Sequence, residues 1–172
     1  MKKPKKNIVW QGIPASPGIA IGKAYLLDRE EITIKEEKLP PGQVQEEILR
    51  FKNSLQEAKK EIVKIKKNIV KKLGADQAKI FDAHLLILED EVINRQVINE
   101  IKEEKKNAEF IYNRVIQKTI QVISSAKYEY LKERVADISA VSTRVINRLL
   151  GLKQHTIEPL KTPRVIVAHS LS

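Results

Sequence analysis

From Gly42 onward the apolar positions Val44, Ile48, Phe51, Leu55, Ala58, Ile62, Ile65, Ile69 and Leu73 step by four and three in alternation. That spacing winds one apolar seam along a helix of about eight turns. Pro40 and Pro41 stand at its start. Gly74 stands at its end, where a residue without Cβ suits a left-handed cap. A long antiparallel helical hairpin is expected. Asp76 is placed to cap the next helix, which carries IFDAHLLILEDE from Ile80 to Glu91. Val92, Ile93, Val97, Ile98 and Ile101 continue the helical pattern until the charged run KEEKK. Asn107 then opens a helix through Ile111, Val115, Ile116, Ile120 and Ile123. A last helix follows through Leu131, Val135, Ile138, Ser142, Val145 and Leu149, closed by Gly151.

The two ends of the chain follow another period. Gln11 to Leu27, QGIPASPGIAIGKAYLL, alternates prolines and glycines with a short apolar run and reads as turn, strand and turn. RVIVA, Arg164 to Ala168, is a continuous β-branched run of the kind found in strands buried on both faces. Other strand-like segments lie only in the first 35 residues. The economical topology is therefore mostly α: an antiparallel helical bundle inserted into an α/β domain whose two pieces flank it. Residues 1–7 form a disordered basic tail, 8–39 the first piece, 40–151 the helical domain and 152–172 the start of the second piece. Because Ser172 follows the strand so closely, the α/β domain reads as incomplete and the chain as a piece of a longer protein.

On a helical wheel started at Ile80, the side chains Phe81, Leu85, Leu88 and Val92 fall together as a core stripe. Ile80, His84, Ile87 and Glu91 form a second stripe, with Asp90 beside it. A helix apolar nearly all round is either wholly buried or offers one side to something else. The imidazole and the acids favour the second choice. A histidine titrates near neutrality, yet nothing in the sequence supplies a nucleophile or an orienting partner for it. His84 is more often a satisfied core or boundary residue than a catalyst.

Composition narrows the function classes. With 172 residues, 42% hydrophobic and 31% charged, the chain can bury a core and stay soluble. It holds no apolar run of membrane-spanning length and no secretory signal, so no membrane partner and a cytoplasmic location are expected. There is no cysteine, and His84, His155 and His169 have no metal-ligand spacing, so no metal site is expected. Gly22-Lys23 is not a phosphate-binding loop, because Pro17 and Ala24 occupy the places of its first glycine and its Ser/Thr.

The formal net charge of +10 raises nucleic acid as a partner. Lys2, Lys3, Lys5 and Lys6 belong to the tail, however. Lys59, Lys60, Lys64, Lys66, Lys67, Lys71 and Lys72 are spread around one helix, without interleaved aromatic rings for stacking. A solvated helix surface is the better reading. Between Ala75 and Val92 the sign reverses: Asp76, Asp82, Glu89, Asp90 and Glu91 against Lys79 alone. An acidic island around apolar residues suits a basic partner with a small hydrophobic patch.

GIPASPGIAIGKAYLL, IFDAHLLILEDE, EYLKERVADI from Glu129 to Ile138, and LLGL from Leu149 to Leu152 together resemble the N-terminal part of Enzyme I, the phosphoenolpyruvate-protein phosphotransferase of the bacterial sugar phosphotransferase system. The resemblance covers nearly everything after the tail. It implies an enzyme that takes a phosphoryl group from phosphoenolpyruvate onto a histidine and passes it to the phosphocarrier protein HPr. It also implies a helical domain, inserted in a phosphohistidine-type α/β domain, that forms the HPr-docking surface. The positions matching that surface are Asp82, His84, Ile87, Asp90, Glu91, Ile116, Ile123, Leu131 and Arg134.

The family's phosphohistidine motif, GGxTSHxAI, does not occur in this sequence, so no residue here is expected to be catalytic and neither His155 nor His169 takes that role. IVAHSLS resembles the family's AHDLTPS segment, with Ser170 for Asp and Ser172 for Thr. Lys79 stands where a small residue is common, and Ala75 and Val92 where acids are frequent. The resemblance places the Mg²⁺-dependent phosphoenolpyruvate barrel, and the family's dimer contacts, outside this chain, which by itself is expected to need no cofactor and to be inactive in phosphoryl transfer. The alternatives are the same scaffold in the nitrogen-related phosphotransferase system, a basic helical nucleic-acid-binding module, and a structural coiled coil.

Overall fold

The computed structural model describes residues 8–27, 33–125, 129–152 and 162–168, apart from the side chains of Leu27 and residues 129–133. The basic tail, His155, His169, Ser170, Ser172 and the Leu131 side chain lie outside the described set. The described residues fall into two compact units, one holding the strands and the other the helices.

The first unit is a two-stranded parallel sheet of β1 (Lys23–Leu27) and β2 (Arg164–Ala168), with Lys23 opposite Arg164 and Leu27 opposite Ala168. Parallel strands require a crossover connection. Here the connection carries the whole helical unit, the topology that the switch in periodicity predicts. Ile166 and Val167 remain 39% and 40% exposed, although RVIVA reads as buried on both faces. A two-stranded ribbon has no second layer of its own to cover them.

The second unit contains α1 (Val44–Leu73), a 3-10 turn (Asp76–Ala78), α2 (Ile80–Leu88), α3 (Glu91–Glu104), α4 (Ala108–Ser124) and α5 (Glu129–Leu149). The 4–3 seam of α1 packs through Ile48, Phe51, Ala58 and Ile62, which are buried among α3, α4 and α5 residues such as Val97, Ile111, Val115, Val141 and Val145. Phe51 and Tyr112 meet with ring centroids 5.6 Å apart. Burial pushes the Tyr112 hydroxyl above the ordinary phenol range. No side chain of α1 beyond Ile62 is buried, and Leu73 is 62% exposed. α1 also packs on the 3-10 turn and the nine-residue α2, and burial along its seam stops at Ile62, so the expected long hairpin is lopsided.

Long-range polar contacts tie the helix ends together. Asn107 does open α4, but its side chain does not cap it. Its Oδ1 accepts from the Glu37 N–H at 2.9 Å and its Nδ2 donates to the Lys35 carbonyl at 2.9 Å, fixing the chain that leads into α1. The capping group of α4 is the Glu47 carboxylate of α1, which accepts from the Ala108 N–H at 2.5 Å. Arg50 donates to both Glu47 oxygens, pairs with Glu109 and reaches the Leu149 carbonyl at 2.7 Å. One guanidinium thus joins α1, the start of α4 and the end of α5. Gly151, at φ 65°, lets the Leu152 N–H return to the Asn147 carbonyl at 2.8 Å and closes α5 as its position predicts.

Asp76 does not act as the expected cap: it lies inside the 3-10 turn and pairs with Lys79 at 2.7 Å. Tightening the chain into that turn leaves α2 to begin without a side-chain cap.

Candidate partner-docking site

The segment IFDAHLLILEDE is two helices with a break between them. α2 ends at Leu88, where Asn94 Nδ2 caps the Leu88 carbonyl at 3.0 Å. Asp90 leaves helical geometry at ψ 109°, and its Oδ1 accepts from the Ile93 N–H at 2.9 Å. The middle acid of the triplet is therefore the N-cap of α3. A wheel drawn through Val92 crosses this break, and Val92 is 76% exposed instead of lying in the core stripe.

Within α2 the buried side is rotated from the expected one. Leu88 and His84 are buried, with Phe81, Leu85 and Ile87 half-buried against the core. The exposed positions are Asp82, Leu86 and Glu89, recurring at four and three residues, and Ile80 is half exposed. Leu86, 73% exposed, thus stands between two carboxylates on one face.

His84 is 7% exposed and so is not the surface residue that the second stripe predicts. Its Nε2 lies 3.3 Å from Asp137 Oδ1 on α5, and its ring meets Phe81 edge-on at 5.7 Å. Nδ1 is buried without a partner among the described residues. This arrangement locks α2 against α5, with Asp137 the hydrogen-bond partner of His84 among the described residues.

The remaining expected residues divide by position. Asp82 and Glu91 are exposed, Arg134 is exposed on α5, Ile87 and Ile123 are half-buried, and Asp90 is occupied as a cap. Ile116 is 2% exposed at the centre of the core and presents no surface to a partner. α4 packs on both α3 and α5, so its apolar positions are divided between two neighbours and few reach solvent. Sequence reading missed Leu86, Val92 and Val122, the last 71% exposed on α4. The signal for Leu86 is its place midway between Asp82 and Glu89, two acids that must face water.

The acids are not bare. Lys66 of α1 pairs with Asp82 and Lys59 with Glu89, while Glu91 meets Arg95 at 3.4 Å. Among the described residues no group of three or more His, Cys, Asp or Glu is placed to hold a metal ion, and no helix is long and apolar enough to cross a membrane.

Comparison with known proteins adds a family to this geometry. Residues 11–134 match the family model of the PEP-utilising enzyme, N-terminal. The phosphoenolpyruvate-protein phosphotransferase of Staphylococcus aureus (strain MRSA252) is 39% identical over 163 residues, covering 94% of this chain and 28% of that protein. A solution NMR structure of Enzyme I is similar at TM-score 0.78 and 41% identity, covering 92% of this chain and 64% of that one. The N-terminal domain of a nitrogen Enzyme 1 shares the fold at TM-score 0.65 and 22% identity, covering 90% of this chain and 62% of that one. The chain spans 28% of the length of the curated relatives it matches.

Proposed function

Since the chain belongs to the PEP-utilising enzyme N-terminal family, we propose that it is the part of a phosphoenolpyruvate-protein phosphotransferase that receives the phosphocarrier protein HPr. The observation that carries this reading is the α2–α3 break. There Leu86 and Val92 are 73% and 76% exposed among Asp82, Glu89 and Glu91 on a helical unit otherwise rich in lysine. Large apolar side chains ringed by charge are the form of a protein-docking hot spot, in which the apolar contacts supply affinity and the acids supply rate and orientation. Ile87, Ile123 and Arg134 are assigned to the same docking face, with Leu131 as a further candidate.

Transfer of a phosphoryl group between two histidines needs the accepting nitrogen held in line with the phosphorus, and a docking platform supplies that positioning. The platform is assigned to residues 40–151, and 8–39 and 152–172 to the two pieces of the α/β domain. No GGxTSHxAI match occurs here, so the role assigned to this chain is docking and the phosphohistidine is assigned elsewhere in the enzyme. Magnesium, implied by the family resemblance, finds no ligand cluster among the described residues and is assigned to the phosphoenolpyruvate-binding barrel. A cytoplasmic setting follows from the substrate. The 41% identity to a solved Enzyme I supports the Enzyme I reading, and the nitrogen-related system remains the alternative on the same scaffold.

Titrating the isotope-labelled chain with HPr tests the assignment. Amide shifts concentrated in α2, the start of α3 and around Arg134 are expected. Shifts confined to other helices, or no shifts, would refute it.

A further inference from the structure

The acids that frame Leu86 are already paired inside the molecule, and the pairing is regular. Asp82 on α2 and Glu89, the residue that caps its C-terminus, lie seven residues apart; Lys59 and Lys66 lie seven residues apart on α1. Two turns on each helix span about 10 Å. The helices are matched in antiparallel sense, Lys59 to Glu89 and Lys66 to Asp82, so both pairs form together. Lys64, Lys67, Lys71 and Lys72 on the same helix have no carboxylate partner among the described residues. The pairing therefore reflects register rather than lysine abundance. All four paired side chains are partly exposed, from 32% for Lys66 to 53% for Asp82, so an incoming cation reaches the carboxylates without unfolding anything.

We propose that Lys59 and Lys66 are built-in competitors of the docking partner, holding Glu89 and Asp82 until basic side chains of the partner displace them, and so setting the affinity and salt dependence of docking at Leu86. This rests on the docking reading above. In the free chain Lys59 and Lys66 offset the charges of Glu89 and Asp82, so these two acids attract a basic partner less strongly than bare carboxylates would. When a basic partner binds, each new ion pair is made at the expense of an old one, and the released lysine ammonium goes back to water close to the partner's own positive charge. The face discriminates by demanding that a partner bring both an apolar contact for Leu86 and cations that outcompete two tethered lysines. A merely basic surface gains little from it.

Calorimetric titration with HPr over a range of salt concentrations tests this. Lys66→Gln and Lys59→Gln are each expected to bind about two- to fivefold tighter, the scale of one exposed ion pair, with a steeper loss of affinity as salt rises. Lys64→Gln and Lys72→Gln control for the general loss of positive charge and are expected to give smaller gains. In an Asp82→Asn background the gain from Lys66→Gln is expected to vanish, because the competition it relieves no longer exists. Gains equal to the controls, or persisting with Asp82→Asn, or no gain in a chain that does bind HPr, would overturn the competitor role and leave docking intact. Failure of the unsubstituted chain to bind HPr at any salt would overturn the docking reading and this proposal with it.

Discussion

The Glu47 carboxylate accepts the Ala108 N–H at 2.5 Å from 61 residues away, so the first turn of α4 is capped by a side chain of α1. Burial pushes the Glu47 carboxyl up, but the Arg50 hydrogen bonds, the Ala108 N–H and the Arg50 charge outweigh it and hold the carboxyl below the usual glutamate range. Glu104 is drawn down to about 2, first by Arg114 and then by Lys106. A carboxyl lowered by folding contributes stability above its unfolded pKa, and that contribution is lost as pH falls through the folded value. Stability is therefore expected to drop below about pH 4.5. Glu47→Gln is expected to flatten that drop. Glu47→Ala is expected to cost about 1.5–3 kcal/mol at neutral pH by leaving Arg50 and the α4 terminus short of an acceptor. Urea unfolding across pH checks both; a Glu47→Gln profile as steep as the parent's would refute the assignment.

His84 and Asp137 hold α2 to α5. His84→Ala is expected to cost about 1–3 kcal/mol, through the lost contacts and an unpaired Asp137, and to accelerate amide exchange in α2 before the other helices. His84→Gln keeps a donor and is expected to lose less. Hydrogen exchange that rises equally in all helices would show that the pair is not a local latch.

Two apolar truncations separate surface from core. Leu86→Ala is expected to weaken HPr binding about tenfold or more while leaving the unfolding midpoint nearly unchanged. Ile116→Ala is expected to cost about 2–5 kcal/mol of stability. The reverse pattern in paired titration and denaturation experiments would mean that the docking face lies elsewhere.

Lys105, at φ 52°, is the one non-glycine among the described residues with positive φ, and it ends α3 while its carbonyl accepts from the Leu39 N–H at 2.8 Å. A left-handed L-residue costs roughly 1–2 kcal/mol, partly offset by glycine's greater freedom in the unfolded chain. Lys105→Gly is expected to raise the melting temperature by a few degrees, and Lys105→Val to lower it. A fall with glycine, read by calorimetry, would contradict the backbone assignment.

What the sequence made legible was whatever a single helix decides for itself. The 4–3 seam of α1, the glycine closing α5 and the start of α4 at Asn107 are local matters of period and backbone freedom. The α2 wheel failed because every angle on it holds an apolar residue somewhere, so which arc is buried depends on where α1 and α5 sit. His84 went inward because Asp137 was there to receive it. The triplet Glu89-Asp90-Glu91 looked like one charged helix end and is a cap between two helices. Ile116 and Ile123 share one apolar stripe, and only the packing of α3 and α5 on α4 decides that Ile116 is enclosed. The α4 cap was invisible because its acceptor comes from another helix.

The parallel pairing of Leu27 with Ala168 and Lys23 with Arg164 also constrains the order of folding. Drawing the two strands together from an unfolded chain means closing a loop of about 140 residues, an entropic cost on the order of 4 kcal/mol that five ladder positions repay poorly. Folding the helical insert first, from contacts between neighbouring helices, shortens that loop before the strands meet. Pulse-labelled exchange during refolding is expected to protect α1, α4 and α5 ahead of residues 23–27 and 164–168; strand protection that came first would reverse the order. A chain that loses its bundle is thus expected to lose its sheet as well, though no strand residue has been touched.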